Sequence, residues 1–225
     1  MNVLVLKSSI SLDGGQSSML ADRFASARKA ADPRVTIATR DLARDPIPHI
    51  DGERFKAFLT PADKRDEMQQ QVAAFSDALI AELRRADLIA IGLPMYNFGI
   101  PSTLKAYFDH VARSGETFRY TEKGPVGMLT GKRAVVFATR GGLYAGTPLD
   151  SQTAYIRAFL GFLGITDVEF VYAEGLAMGD ALKQVNLAAA QVESDKVGLQ
   201  IDARAAGRQR AANETDQEHR APIAA

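Results

Sequence analysis

The chain has 225 residues with 27 basic and 27 acidic side chains, so no net field steers a polyanion toward it and nucleic acid is a poor expected partner. It contains no cysteine, which excludes disulfides, thiolate nucleophiles and thiolate metal sites. An apolar share of 46% is that of an ordinary globular protein, and the length suits one domain with one sizeable core.

No apolar run approaches the roughly 20 residues of a membrane-spanning helix. The N-terminus goes directly into strand-like Val3-Leu4-Val5-Leu6, without the basic segment and apolar run of a secretory signal. The expectation is a cytoplasmic protein with no membrane partner.

Strand and helix signals then alternate. Asn2–Lys7 reads as a short buried strand, and residues 8–18 (SSISLDGGQSS) as a polar loop leading into a helix striped by Met19, Leu20, Phe24 and Ala27. A strand, a hydroxyl-rich loop and a helix N-terminus in succession suit phosphate, because unpaired N–H groups and the positive helix end converge there. Neither the ATP-type phosphate loop nor the dinucleotide fingerprint is present, leaving Ser9, Ser17 and backbone amides as the candidate contacts. A serine at such a place is equally an ordinary helix cap.

Residues 35–40 alternate as a second strand, and a Pro46/Pro48 loop follows. Between residues 50 and 67 the pattern is weak, with at most a helical turn near 55–59. Residues 66–85 form a helix with Val72, Phe75, Leu79 and Leu83 on one face.

The most informative stretch is 88–113. Residues 88–93 (LIAIGL) are apolar without alternation, as in a strand buried on both faces of a parallel sheet. The chain then breaks at Pro94 into Met95-Tyr96-Asn97-Phe98-Gly99-Ile100, and from Ser102 a helix carries Leu104, Tyr107, Phe108 and Val111. Ligands of open α/β sheets bind beyond the carboxyl ends of the strands, so an aromatic loop there suits a flat ring. Asn97 supplies donors and an acceptor for a heteroaromatic edge.

Residues 114–131 read as an excursion or small hairpin outside the core. Arg133–Thr139 is the fourth core strand, followed by Arg140-Gly141-Gly142, where two glycines let backbone amides approach a ligand. A helix over 150–164, a fifth strand over 168–172 and a last helix over 180–203 complete the pattern. The domain assignment is 1–203, with a C-terminal tail at 204–225 expected to be disordered. Five strands with interleaved helices give an α/β, doubly wound, flavodoxin-like parallel sheet of order 2-1-3-4-5 with helices on both faces. That topology brings the 8–18, 94–100 and 139–142 loops to one edge.

His49, His110 and His219 are far apart with no paired spacing, so no metal is expected. No acid, base or nucleophile stands out, and such an enzyme is best explained by a cofactor that carries the chemistry. Taken singly, Tyr120, Tyr144 and Phe162 are as readily core or satellite packing.

With these residues in view, the chain resembles the FMN-dependent NADH-azoreductases, also described as FMN-dependent NADH:quinone oxidoreductases, over about residues 2–196. The resemblance is carried by LVLKSS, by PMYNFGIPSTLKAYFDHVARSGETFRYTEKGP, by the TRGG after strand four, and by FLGFLGITDVEFVYAEG. It implies FMN as cofactor and NADH as electron donor, with quinones and aromatic azo compounds as acceptors. Ser9, Gly15, Gln16 and Ser17 would bind the FMN phosphate. Pro94, Met95, Tyr96, Asn97 and Phe98 would hold the isoalloxazine and ribityl chain, with Thr139, Arg140, Gly141 and Gly142 over the polar edge of the ring. Tyr120, Tyr144 and Phe162 would line the substrate side, in a homodimer with its sites at the interface. Two positions depart from the pattern: Gly15 stands where a serine is common, and Tyr144 where a histidine often occurs. An electron-carrying flavodoxin is the alternative, but the net charge of zero and the SSISLDGGQSS loop suit it less. A signalling domain of receiver type would need carboxylates at the end of strand one, where Lys7-Ser8-Ser9 stands.

Overall fold

The computed structural model describes residues 1–218 of the chain, with side chains described for residues 1–200. The elements are β1 (Asn2–Lys7), α1 (Gln16–Ala31), β2 (Thr36–Asp41), α2 (Gly52–Leu59), α3 (Glu67–Arg85), β3 (Leu88–Pro94) and α4 (Ser102–Val111). A hairpin of β4 (Phe118–Thr121) and β5 (Gly124–Gly127) follows, then β6 (Arg133–Thr139), α5 (Ser151–Phe162), β7 (Asp167–Ala173) and α6 (Asp180–Glu218). Helix α6 runs on to Glu218, past the expected end of the last helix at 203 and into the expected disordered tail, and residues 219–225 lie outside the described residues.

The central sheet has five strands in the order β2-β1-β3-β6-β7, every pair parallel. This is the expected 2-1-3-4-5 order of core strands. Every residue of β3 and of β6 is buried, and successive side chains enter opposite layers, as the two-residue period of a strand requires. Ile89, Ile91 and Leu93 join Leu79, Leu83, Leu104, Phe108, Ile156 and Leu160 in one cluster. Leu88 and Ala90 join Val3, Val5, Leu20, Phe24, Phe137 and Val197 in the other. A slip of one residue in β3 would exchange the two layers, so the register is strongly specified.

Two boundaries sharpen the sequence reading. Helix α1 begins at Gln16, ahead of its first apolar residue. The weak stretch after Ile50 holds a full helix, α2, whose N-cap Asp51 accepts the Arg54 amide at 2.8 Å. The expected excursion is the antiparallel pair β4–β5. Its Gly127 abuts Gly164 at the end of α5, where a Cβ on Gly127 would fall 2.0 Å from the Gly164 nitrogen. Among the described residues, no helix is long and apolar enough to cross a membrane.

Because β1, β3 and β6 run in parallel, their carboxyl ends share one edge. Helix α1 reaches that edge through a close approach at Gly92, where a Cβ would lie 3.0 Å from the Ser17 carbonyl oxygen. The first turn of α1 is thereby seated against the end of β3.

Candidate functional site

The loop after β1 is tied to its neighbour strand. The buried Ser8 hydroxyl donates to the Gly92 carbonyl at 2.6 Å. Ser9 Oγ lies 3.3 Å from the Tyr96 hydroxyl, which also accepts the Ile10 amide at 3.1 Å. The amides of Gly14 and Gly15 turn back on Ser11 and Leu12, so the Gly15 N–H is engaged within the loop and is not turned toward a phosphate. The first helical donor is Met19, whose amide reaches the Gly15 carbonyl at 2.9 Å. Among the described residues, the amides of Gln16, Ser17 and Ser18 meet no acceptor, the usual state of a helix start. Ser17 Oγ and Gln16 Oε1 are buried without a partner. Buried polar atoms are ordinarily bonded, and an orphaned hydroxyl beside three unused amides at a positive helix end fits a phosphate group.

The segment after β3 is a tight turn. Tyr96 and Gly99 exchange both backbone hydrogen bonds, at 3.1 and 2.9 Å, around Asn97 at φ 49° and Phe98 at φ 61°. Two left-handed central residues make a turn of type I′. Asparagine tolerates this conformation, whereas a phenylalanine there is strained by about 1 kcal/mol or more. Such strain persists only where the surroundings hold it. Gln152 Nε2 donates to the carbonyls of Pro94 and Gly99, each at 3.0 Å, and the Ser151 hydroxyl donates to the Phe98 carbonyl. The Met95 amide reaches the Thr139 carbonyl at 2.9 Å, joining this turn to the end of β6. Phe98 is 52% exposed, so it does not serve as core packing. Its ring stands 5.4 Å from that of Tyr144.

Beyond β6 the chain forms the third loop. The Arg140 guanidinium is fully buried between Asp150 at 2.7 Å and Glu174 at 3.0 Å and lies over the Tyr172 ring. Its charge is spent within the scaffold, so Arg140 shapes the loop and does not present a cation to a ligand. Burial pushes the Asp150 carboxyl up, but hydrogen bonds from Arg140 and from the Thr153 amide and hydroxyl overcome this and hold it below its ordinary value. Glu174 also accepts the amides of Tyr144 and Ala145, both at 2.9 Å. The Gly141 and Gly142 amides find no acceptor among the described residues. A Cβ on Gly142 would fall 2.7 Å from the Tyr144 phenol, so that ring lies across the glycine.

Ser9, Gln16, Ser17, the 94–98 segment, 139–142 and Tyr144 therefore gather at one sheet edge. Tyr120 and Phe162 do not join them. Tyr120 is 72% exposed on the hairpin, and Phe162, which packs on Phe118, closes α5 at the end opposite Ser151. Twelve helical residues put about 16 Å between those ends at 1.5 Å per residue. His110 is buried elsewhere, its Nε2 donating to the Pro48 carbonyl at 2.9 Å.

The residues that sequence reasoning missed are Asp150, Ser151, Gln152 and Glu174. Asp150 carries a readable signal as the N-cap of α5, accepting the Thr153 amide at 3.0 Å. Gln152 and Glu174 carry none, since their roles depend on groups far along the chain.

A family model described as flavodoxin-like fold matches residues 1–196. An FMN-dependent NADH:quinone oxidoreductase of Alcanivorax borkumensis is 58% identical over 193 residues, covering 86% of this chain and 98% of that protein. One of Cellvibrio japonicus is 51% identical over 177 residues, covering 79% and 89%. Among solved structures, an FMN-dependent NADH-azoreductase from Bacillus anthracis in complex with FMN aligns with a TM-score of 0.78 at 27% identity, over 88% of this chain and 99% of that one.

Proposed function

The chain belongs to the flavodoxin-like family of FMN-dependent NADH:quinone oxidoreductases, and on that premise we propose that it is a doubly wound FMN enzyme that uses NADH to reduce quinones and to cleave aromatic azo compounds to amines. The observation that carries the reading is the convergence at one edge of three complementary surfaces: an anion-suited helix start, an aromatic turn and a pair of unused glycine amides. Each fits a different part of one molecule.

Ser9, Gln16, Ser17 and the first amides of α1 would receive the phosphate. The 94–98 segment would hold the ring and ribityl chain, with Asn97 facing a polar edge. The Gly141 and Gly142 amides would donate to the pyrimidine end, where negative charge collects on reduction. FMN held there would supply a hydride acceptor for NADH and a hydride donor for a second flat acceptor bound in turn at the same open face, the arrangement that ping-pong kinetics would report. No titratable side chain of this chain need move a proton, because an open face lets water supply it. Tyr144 and Phe98 form the aromatic rim against which an acceptor would rest.

Tyr120 and Phe162 can reach that face only from a second copy. Their placement at the far end of α5 supports a homodimer with its sites at the interface. A cytoplasmic location completes the proposal.

The test is direct. The purified chain is expected to be yellow with one FMN per subunit, and to oxidise NADH when benzoquinone or an azo dye is added, with parallel double-reciprocal plots. A colourless protein that ignores added FMN would sink the reading, and intersecting plots would remove the ping-pong scheme.

A further inference from the structure

We propose that Gln152 is a positioning residue for flavin binding, its carboxamide holding the 94–99 turn in the shape that receives the ring. The inference rests on the FMN reading above. Gln152 is fully buried in the first turn of α5, and its Nε2 reaches the carbonyls of Pro94 and Gly99 at 3.0 Å each. Those two carbonyls bracket Met95, Tyr96, Asn97 and Phe98. One side chain therefore pins both ends of a turn whose two central residues are left-handed and not glycine, a conformation that relaxes unless its ends are held.

The orientation of the amide is set by its partners. Carbonyls only accept, so the NH2 group must face them. Oε1 is left buried without a partner, an unfavourable arrangement that an apolar side chain of similar length would avoid. Packing alone would thus be served as well by methionine. What methionine cannot do is donate to both carbonyls. The same turn of α5 reaches the other flavin loop through Asp150 and Arg140, so the 94–99 turn is registered against residues 139–142 through one rigid element.

The experiment titrates FMN into the apo form of the full chain by flavin fluorescence and follows thermal unfolding without FMN. The proteins compared are wild type, Gln152→Met, Gln152→Glu and the control Ser76→Ala, which removes a buried hydroxyl that donates to the His110 carbonyl and accepts from Arg113. Gln152→Met is expected to weaken FMN by about tenfold, the effect of losing two modest hydrogen bonds, with little change in unfolding temperature. Ser76→Ala is expected to lower that temperature and leave FMN affinity within about twofold. Gln152→Glu sets a carboxylate against two carbonyls, so its FMN affinity is expected to be poorest near pH 8 and to recover toward about pH 5 as the acid gains a proton to donate. FMN affinity of Gln152→Met within twofold of wild type overturns the proposal. An equal loss in Ser76→Ala does the same. If Gln152→Met does not fold, the pH response of Gln152→Glu decides, and a flat response overturns the proposal. Failure of the wild type to bind FMN refutes the parent reading instead, and this inference with it.

Discussion

The Cβ that any other residue would carry at Gly15 falls 2.4 Å from the Oγ of Ser9 and 2.6 Å from its Cβ. Ser9 is buried and touches the Tyr96 hydroxyl, so it cannot step aside without loosening the first loop from the 94–99 turn. The glycine stands there for space, since its φ of −71° is open to any residue. Gly15→Ala is expected to lower stability by about 1–3 kcal/mol, the usual range for overpacking, and to weaken FMN in parallel. Gly15→Ser, which supplies the hydroxyl common in the family, meets the same obstacle and is expected to gain no affinity. Thermal unfolding and FMN titration of both variants check this; unshifted midpoints would show that the loop has room.

Arg140→Met leaves Asp150 and Glu174 as buried carboxylates without a countercharge. Breaking a buried pair from one side is destabilising by about 3–5 kcal/mol. The pH dependence has a definite sign. The Asp150 carboxyl is held below its ordinary value in the fold, so its contribution is present above the unfolded value near pH 3.9 and is lost as pH falls through the folded one. Without Arg140 the Asp150 carboxyl protonates more readily, and the gap in stability between variant and wild type is expected to narrow as pH falls from about 7 to about 4. Urea midpoints across that range measure it, and a constant gap would place the effect of Arg140 in packing alone.

The parts of this molecule that were legible in the sequence are those that repeat a local rule. LIAIGL reads as a doubly buried strand because none of its residues is polar, and all of it is buried. The break after β3 is legible too, as a turn at Asn97-Phe98 just past the strand end. Long-range polar contacts were not legible. Gln152 meets Pro94 across 58 positions and Arg140 meets Glu174 across 34, and a lone Gln in a helix or Glu just past a strand looks like a solvated surface residue. Arg140 is expected from its place after the strand to lie over a ligand, but its side chain turns into the scaffold because two carboxylates lie behind the loop. Helix α2 reads as no more than a turn near 55–59 because it is only eight residues long, and its Phe55 and Leu59 stay exposed.

His110 makes a second prediction about acid. Burial lowers its pKa, opposed by its hydrogen bond to Pro48 and the charge of Asp109, with Arg54 and Arg113 adding to the lowering. Nδ1 is buried without a partner, so a second proton would have no acceptor. The unfolded chain then binds more protons than the fold between the folded value and about 6.5, and stability falls as pH drops through that window. His110→Phe is expected to flatten this decline between about pH 7 and pH 5 while leaving FMN affinity unchanged. Asn97→Ala is expected to do the reverse, weakening FMN with the acid profile intact. Equal effects of the two variants on FMN would mean that the site has been misplaced.

Phe98→Gly separates stability from function at a single residue. Its φ of 61° is free of strain in glycine, and Asn-Gly is the favoured pair for a turn of type I′. Half of the ring is exposed, so little burial is lost. Relief of strain and the greater freedom of glycine in the unfolded chain nearly cancel, and stability is expected to stay within about 1 kcal/mol of wild type. Function should not survive as well. The ring is the exposed half of the pair with Tyr144, and losing one aromatic contact to a flat acceptor is worth up to about tenfold in KM. Steady-state kinetics with benzoquinone beside urea unfolding decide it. A KM that does not move would show that Phe98 faces away from the acceptor, and would leave the strain in this turn serving flavin binding alone.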